Sequence, residues 1–184
     1  MKTVNIYTID EMNEESRKKA IENIRNSPHC YFDPDLEIYK DELSNKGFEN
    51  AEIYYTGFYS QGDGACFVSN CNIRVINDTY KLGLKRSVLE CLIEYFSFTT
   101  DKNTSRYYHE KTMDCNAWSE SRADRLYDKA RKVSEQILEI ARGEARQIYR
   151  SLEAEYNYQH SDEYIVEYCQ VNAIEFLESG KIYS

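Results

Sequence analysis

No run of apolar residues in this 184-residue chain exceeds five. That excludes a helix of about 20 apolar residues spanning a bilayer. The opening Met-Lys-Thr-Val-Asn-Ile-Tyr carries no secretory h-region, so the expected compartment is the cytoplasm. Patterns that mark common catalytic machinery are also missing: no phosphate-binding P-loop, no dinucleotide-binding GxGxxG, no GxSxG elbow and no HExxH. Histidine is scarce, and His29, His109 and His160 fall on three separate segments rather than in a metal-ligand pair. Cys30, Cys66, Cys71, Cys91, Cys115 and Cys169 include no CxxC pair. Reduced, mostly buried thiols are therefore expected, with no metal and no cofactor. A nucleophile formed by Cys66 with His109 stays open, because such partners need only meet in space.

Positive charge is in short supply. Twenty-three Lys and Arg stand against 32 Asp and Glu, a net charge of −9. That balance disfavours sequence-independent binding of DNA or RNA, whose phosphates need cations. The basic clusters Arg17-Lys18-Lys19, Lys85-Arg86 and Arg131-Lys132 are short and sit among acids, the pattern of solvated helix faces. The acidic surplus serves solubility or attracts a basic partner surface. With 41% hydrophobic and 30% charged residues the chain reads as a soluble globular protein, and its length fits one domain, 1–184. Among the aromatics, 17 tyrosines outnumber seven phenylalanines and one tryptophan. Tyrosine joins a large apolar face to a polar tip, which suits boundary packing and partner contact alike.

Periodicity orders the elements. Residues 4–7 read as a strand, followed by an amphipathic helix over 14–26 with Ala20, Ile21 and Ile24 on one stripe. Thr8-Ile-Asp-Glu11 fits a capping box, with Asn13 as an alternative N-cap. A second helix covers about 35–46, stopped by Gly47. Residues 51–59 and 66–68 are strand-like, and Gly57, Gly62 and Gly64 between them suggest a tight hairpin with positive φ angles. Cys71 to Ile76 alternates like a further strand, 81–98 reads as a helix, Thr99 to Ser105 as a polar connection, and 106–110 and 113–118 as short strands. From about 120 to 156 a near-heptad series (Leu126, Ala130, Val133, Ile137, Ile140, Ile148, Leu152) predicts one long helix, with Gly143 a point of kinking or breakage. Packing across the chain's own sheet is preferred for it over a coiled-coil dimer. A capped helix over 162–172 and a small terminal hairpin complete the series. The predicted class is α+β: an antiparallel sheet with a central hairpin, packed against several helices.

Gln61-Gly62-Asp63-Gly64 is no calcium loop, since Ala65, Cys66 and Phe67 follow where oxygen ligands belong. It reads as a turn, or as an exposed aromatic loop offered to a partner.

Ile6-Tyr-Thr-Ile-Asp-Glu-Met-Asn-Glu-Glu-Ser-Arg-Lys-Lys-Ala-Ile21 resembles the opening of a family of small bacteriophage and prophage proteins, in which a strand is followed by a pattern close to ELSEEAKEKAIE. Met12-Asn13 stand where those often carry Leu-Ser. Gly57-Phe-Tyr-Ser-Gln-Gly-Asp-Gly-Ala-Cys-Phe67 is similar to the same family's glycine-aromatic signature, as is Ile148-Tyr-Arg-Ser-Leu-Glu-Ala-Glu-Tyr156 with Ser161-Asp-Glu163. The resemblance spreads over most of the chain and is thin over 70–120. Such proteins are often labelled antitoxin-like, and small phage accessory proteins include inhibitors of host defence, anti-CRISPR proteins among them. The resemblance implies a phage gene expressed in a bacterial host; it transfers no catalytic residue.

The expectation that follows is a non-enzymatic inhibitor of a bacterial CRISPR–Cas effector nuclease, Cas9-type, with or without its guide RNA. Such an effector holds its duplex in a positively charged channel that an acidic, tyrosine-rich surface can occupy. Candidate contacts are Tyr55, Phe58, Tyr59, Gln61 and Asp63 of the hairpin and Glu135, Glu139 and Glu144 of the long helix. An antitoxin neutralising a toxin, and an enzyme modifying a host factor through the Asp63–Cys66 region, are the alternatives. The protein is expected to be a monomer or homodimer.

Overall fold

The computed structural model describes residues 4–27, 34–119 and 124–183. In chain order the elements are β1 (Ile6–Thr8), α1 (Glu14–Arg25), α2 (Leu36–Asn45), β2 (Phe48–Tyr55), β3 (Ala65–Cys71), α3 (Ile73–Tyr80) and α4 (Arg86–Tyr95). Then come β4 (Ser97–Lys102), a 3-10 turn (Glu110–Thr112), β5 (Met113–Trp118), α5 (Asp124–Gln159), α6 (Asp162–Val171) and β6 (Glu175–Leu177). The chain is α+β, and it divides into two compact units.

One unit joins the first 34 residues to those from Leu152 onward. The Asn13 side chain accepts the Ser16 N–H at 2.9 Å and caps α1, with Glu14 and Glu15 in the first turn and Arg25 in the last. Thr8 and Glu11 act earlier: the Glu11 carboxylate accepts from the Thr8 N–H and hydroxyl and closes a turn before the helix. The apolar stripe Ala20, Ile21 and Ile24 packs with Ile9, Ile165, Cys169 and Phe176. Around this core β1 pairs antiparallel with β6, Tyr7 opposite Phe176, and Ile182 bridges back to Phe176.

The other unit, residues 35–151, holds an antiparallel sheet in the order β2-β3-β4-β5. Its inner face is buried: Phe48 and Phe67 meet edge to face at 5.2 Å, Phe98 and Met113 lie beside them, and the Ser69 and Thr100 hydroxyls bond at 2.8 Å. Gly47 ends α2 at φ +97°, a left-handed turn that suits glycine, and its carbonyl accepts the Asn72 N–H. Asn50, also at positive φ, forms a bulge where the β2–β3 register shifts. Within this unit α5 buries Ala130, Val133, Ile137, Ala141, Ala145 and Ile148, three or four residues apart. It touches the sheet through Arg142, whose guanidinium donates to the Met113 carbonyl.

Five expectations are corrected. Cys71 to Ile76 adds no further strand: Cys71 ends β3, Asn72 caps α3 through the Val75 N–H, and Ile73 and Ile76 bury on one helical face. The 81–98 helix shrinks to α4, because Lys81 and Gly83 take positive φ ahead of it and β4 begins at Ser97. The polar stretch from Thr99 is the body of β4, and residues 106–109 form no strand. Gly143 does not break α5, which runs as one helix from Asp124 to Gln159. No helix among the described residues is long and apolar enough to cross a membrane.

Candidate functional site

The β2–β3 hairpin ends in a fastened loop. Beyond Tyr55 and Ala65, the Thr56 N–H donates to the Gly64 carbonyl at 3.0 Å. One Asp63 carboxylate oxygen then accepts both the Tyr59 and Ser60 N–H groups, at 2.9 and 2.6 Å. Phe58 stacks between Tyr55 and Tyr149, and the Tyr149 hydroxyl donates to the Gly57 carbonyl. This holds Tyr59 outward at 79% exposure, with Gln61 also exposed. Asp63 thus builds the loop. Positive φ angles were expected at Gly57, Gly62 and Gly64, and none of the three has one. They are small because neighbours crowd them: a Cβ on Gly64 would lie 2.9 Å from the His109 ring, and one on Gly62 would press on Tyr107 at 3.2 Å.

Cys66 and His109 do meet, though not as a catalytic pair. Burial pushes the Cys66 thiol up, while hydrogen bonds from the Thr112 side chain and the His109 backbone pull the other way. The His109 imidazole is engaged elsewhere, its Nδ1 2.6 Å from Glu110 and 3.2 Å from the Lys111 N–H. A raised, buried thiol without a base is a poor nucleophile. His160 stacks on Tyr156, and His29 and Cys30 lie outside the described residues. Cys66, Cys71, Cys91, Cys115 and Cys169 form no disulfide with one another among the described residues. Among the described residues no group of three or more His, Cys, Asp or Glu side chains is placed to hold a metal ion.

The helix acids have three different surroundings. Glu135 is exposed, and Glu139 is exposed but paired with Arg142 at 2.8 Å. Glu144, with its side chain only 17% exposed, receives Lys46 Nζ at 2.7 Å and the Tyr80 hydroxyl at 2.8 Å. Burial, then the Glu144 carboxylate, holds the Tyr80 phenol well above its ordinary value of 10.0. A group whose pKa is raised by folding contributes stability that is complete below its unfolded pKa and declines as pH rises beyond it. Wild-type protein should therefore lose urea resistance between about pH 9.5 and 11 more steeply than Tyr80→Phe. Equal slopes in the two proteins would contradict this role.

A second acidic surface comes from strand register. Cross-strand partners share a face, and Glu49, Asn70, Thr99 and Asn116 form one row across all four strands. On that same outer face Glu52 lies opposite Val68, and Asp101 opposite Asp114. Glu49, Glu52, Asn70, Asp114 and Asn116 are exposed, and Asp101 is half-buried. Neutral groups hold three of these carboxylates: Asn72 on Glu49, the Tyr54 hydroxyl on Glu52, and Thr99 with Asn116 on Asp101. None of the four has an ion-pair partner within 4 Å among the described residues. Lys102, over the rings of Tyr54 and Tyr108, provides a cation near the loop end. Sequence reasoning missed this face; the available signal was the alternation of Thr99, Asp101, Asp114 and Asn116.

A family model described as "Domain of unknown function (DUF8835)" matches residues 26–162. No curated protein and no solved structure matches the chain.

Proposed function

The chain belongs to the DUF8835 family, and we propose that it works by protein–protein contact rather than catalysis, as an inhibitor of a bacterial CRISPR–Cas effector nuclease of Cas9 type. The observation that carries this reading is the open acidic sheet face, where Glu49 and Glu52 of β2, Asp101 of β4 and Asp114 of β5 present carboxylates with no ion-pair partner within 4 Å among the described residues. A channel built for the phosphates of a guide–target duplex attracts such a face and is closed to DNA by it. The fastened loop adds Tyr59, an exposed aromatic whose backbone is already ordered and so costs little entropy on docking. The resemblance of residues 6–21 and 57–67 to small phage proteins supplies the context, a phage gene acting in the cytoplasm of its bacterial host.

The test is cleavage of a DNA target by a purified Cas9-type nuclease. Glu49→Gln, Glu52→Gln, Asp101→Asn and Asp114→Asn combined should weaken inhibition at least about tenfold, or 1.4 kcal/mol, with circular dichroism unchanged. Tyr59→Ala should weaken it less. No inhibition by the wild type, or full potency in the folded quadruple variant, overturns the proposal.

A further inference from the structure

We propose that an open groove between the α3–α4 connection and α5 binds an acidic amphipathic helix of a partner protein. The groove encloses about 960 Å³ and lies wholly within residues 35–151. Its floor is aliphatic: Leu82, Leu84, Val88 and Ile140 are only half-buried, and Val133 closes the base. Its rim is basic, with Lys81 and Lys85 from the connection and Lys129 and Lys132 from α5, against Glu135 and Glu139. Lys85, Lys129 and Lys132 have no ion-pair partner within 4 Å among the described residues. Lysine-rich rims are unexpected on a chain of net charge −9.

The occupant follows from shape and charge together. A small acyl ligand requires a site that buries most of its surface, and an open groove does not do so. An amphipathic helix matches it, since one apolar stripe covers the aliphatic floor while flanking carboxylates reach the lysines on both walls. The positive φ angles of Lys81 and Gly83 lie in the connection that separates α3 from α4. This site is separate from the acidic sheet face and does not rest on the inhibitor reading.

A fluorescein-labelled peptide of glutamate and leucine, spaced to form one apolar stripe, tests the groove by fluorescence anisotropy. It should bind the whole protein at low salt. The net charge of −9 repels such a peptide, so binding reports local attraction. Lys129→Glu with Lys132→Glu, both exposed positions, should weaken it at least about tenfold, and Val88→Asp should do the same through the floor. A scrambled peptide of the same composition should bind about tenfold more weakly. Equal binding of the two peptides, or binding unaffected in the folded variants, overturns the proposal. So does capture of phosphatidylglycerol vesicles with none of the peptide, which makes the groove a lipid contact.

Discussion

Phe67→Ala is expected to destabilise the unit formed by residues 35–151 by about 3–5 kcal/mol, the cost of removing a fully buried phenylalanine from a core that only partly collapses. Phe67 has no exposed surface and sits on β3, an inner strand with neighbours on both sides. Its ring meets Phe48 edge to face, Ile53 lies opposite it on β2, and its carbonyl faces the Thr100 hydroxyl. Truncation removes the nearer of the two rings beside Phe48, leaving only Tyr80 at 6.4 Å, and opens a void beside the Ser69–Thr100 hydrogen bond. Urea denaturation followed by circular dichroism measures the loss. A change below about 1 kcal/mol would mean that the core closes around the gap.

Gly47→Ala should cost about 2–4 kcal/mol, from two separable sources. The first is conformational, since an L-residue at φ +97° is strained. The second is steric: the added Cβ would lie 2.8 Å from the Ile76 side chain, 3.0 Å from the Ile76 nitrogen and 3.1 Å from the Asn72 carbonyl. Two of these are backbone atoms joined by the first hydrogen bond of α3, Ile76 N–H to Asn72 carbonyl. They cannot withdraw without unwinding that turn. Gly83→Ala isolates the first source, because Gly83 also has positive φ but faces open space. It should cost about 1 kcal/mol. Equal losses for the two variants would remove the steric argument at Gly47.

Local chemistry was legible in the sequence wherever one side chain decides a local outcome. The Asn13 cap, the Gly47 stop, the stripe of α1 and the length of α5 all follow from short-range spacing. Elements whose pattern depends on neighbouring strands were not. β4 reads as a loop because its inward Thr100 is a hydroxyl paired with Ser69, while Thr99 and Asp101 face outward. Val75 and Ile76 mimic strand alternation over a span too short to distinguish strand from helix. Positive φ was assigned to the hairpin glycines, yet Asn50, Lys81 and Ala173 adopt it instead, at a bulge and two helix ends. The acidic face was invisible for the same reason as β4: Glu49 and Asn116 are 67 residues apart in sequence and share a row only through the register of three strand pairs.

The pairing of β1 with β6 sets an order of events during synthesis. Tyr7 must wait for Phe176, and Ala20 and Ile24 for Ile165 and Cys169, before the core they share can exist. The sheet of residues 35–151 carries all its own strands and can assemble while the ribosome is still adding α6. Until β6 emerges, α1 therefore exposes an unsatisfied apolar stripe, and chaperones that recognise such stripes have their longest access there.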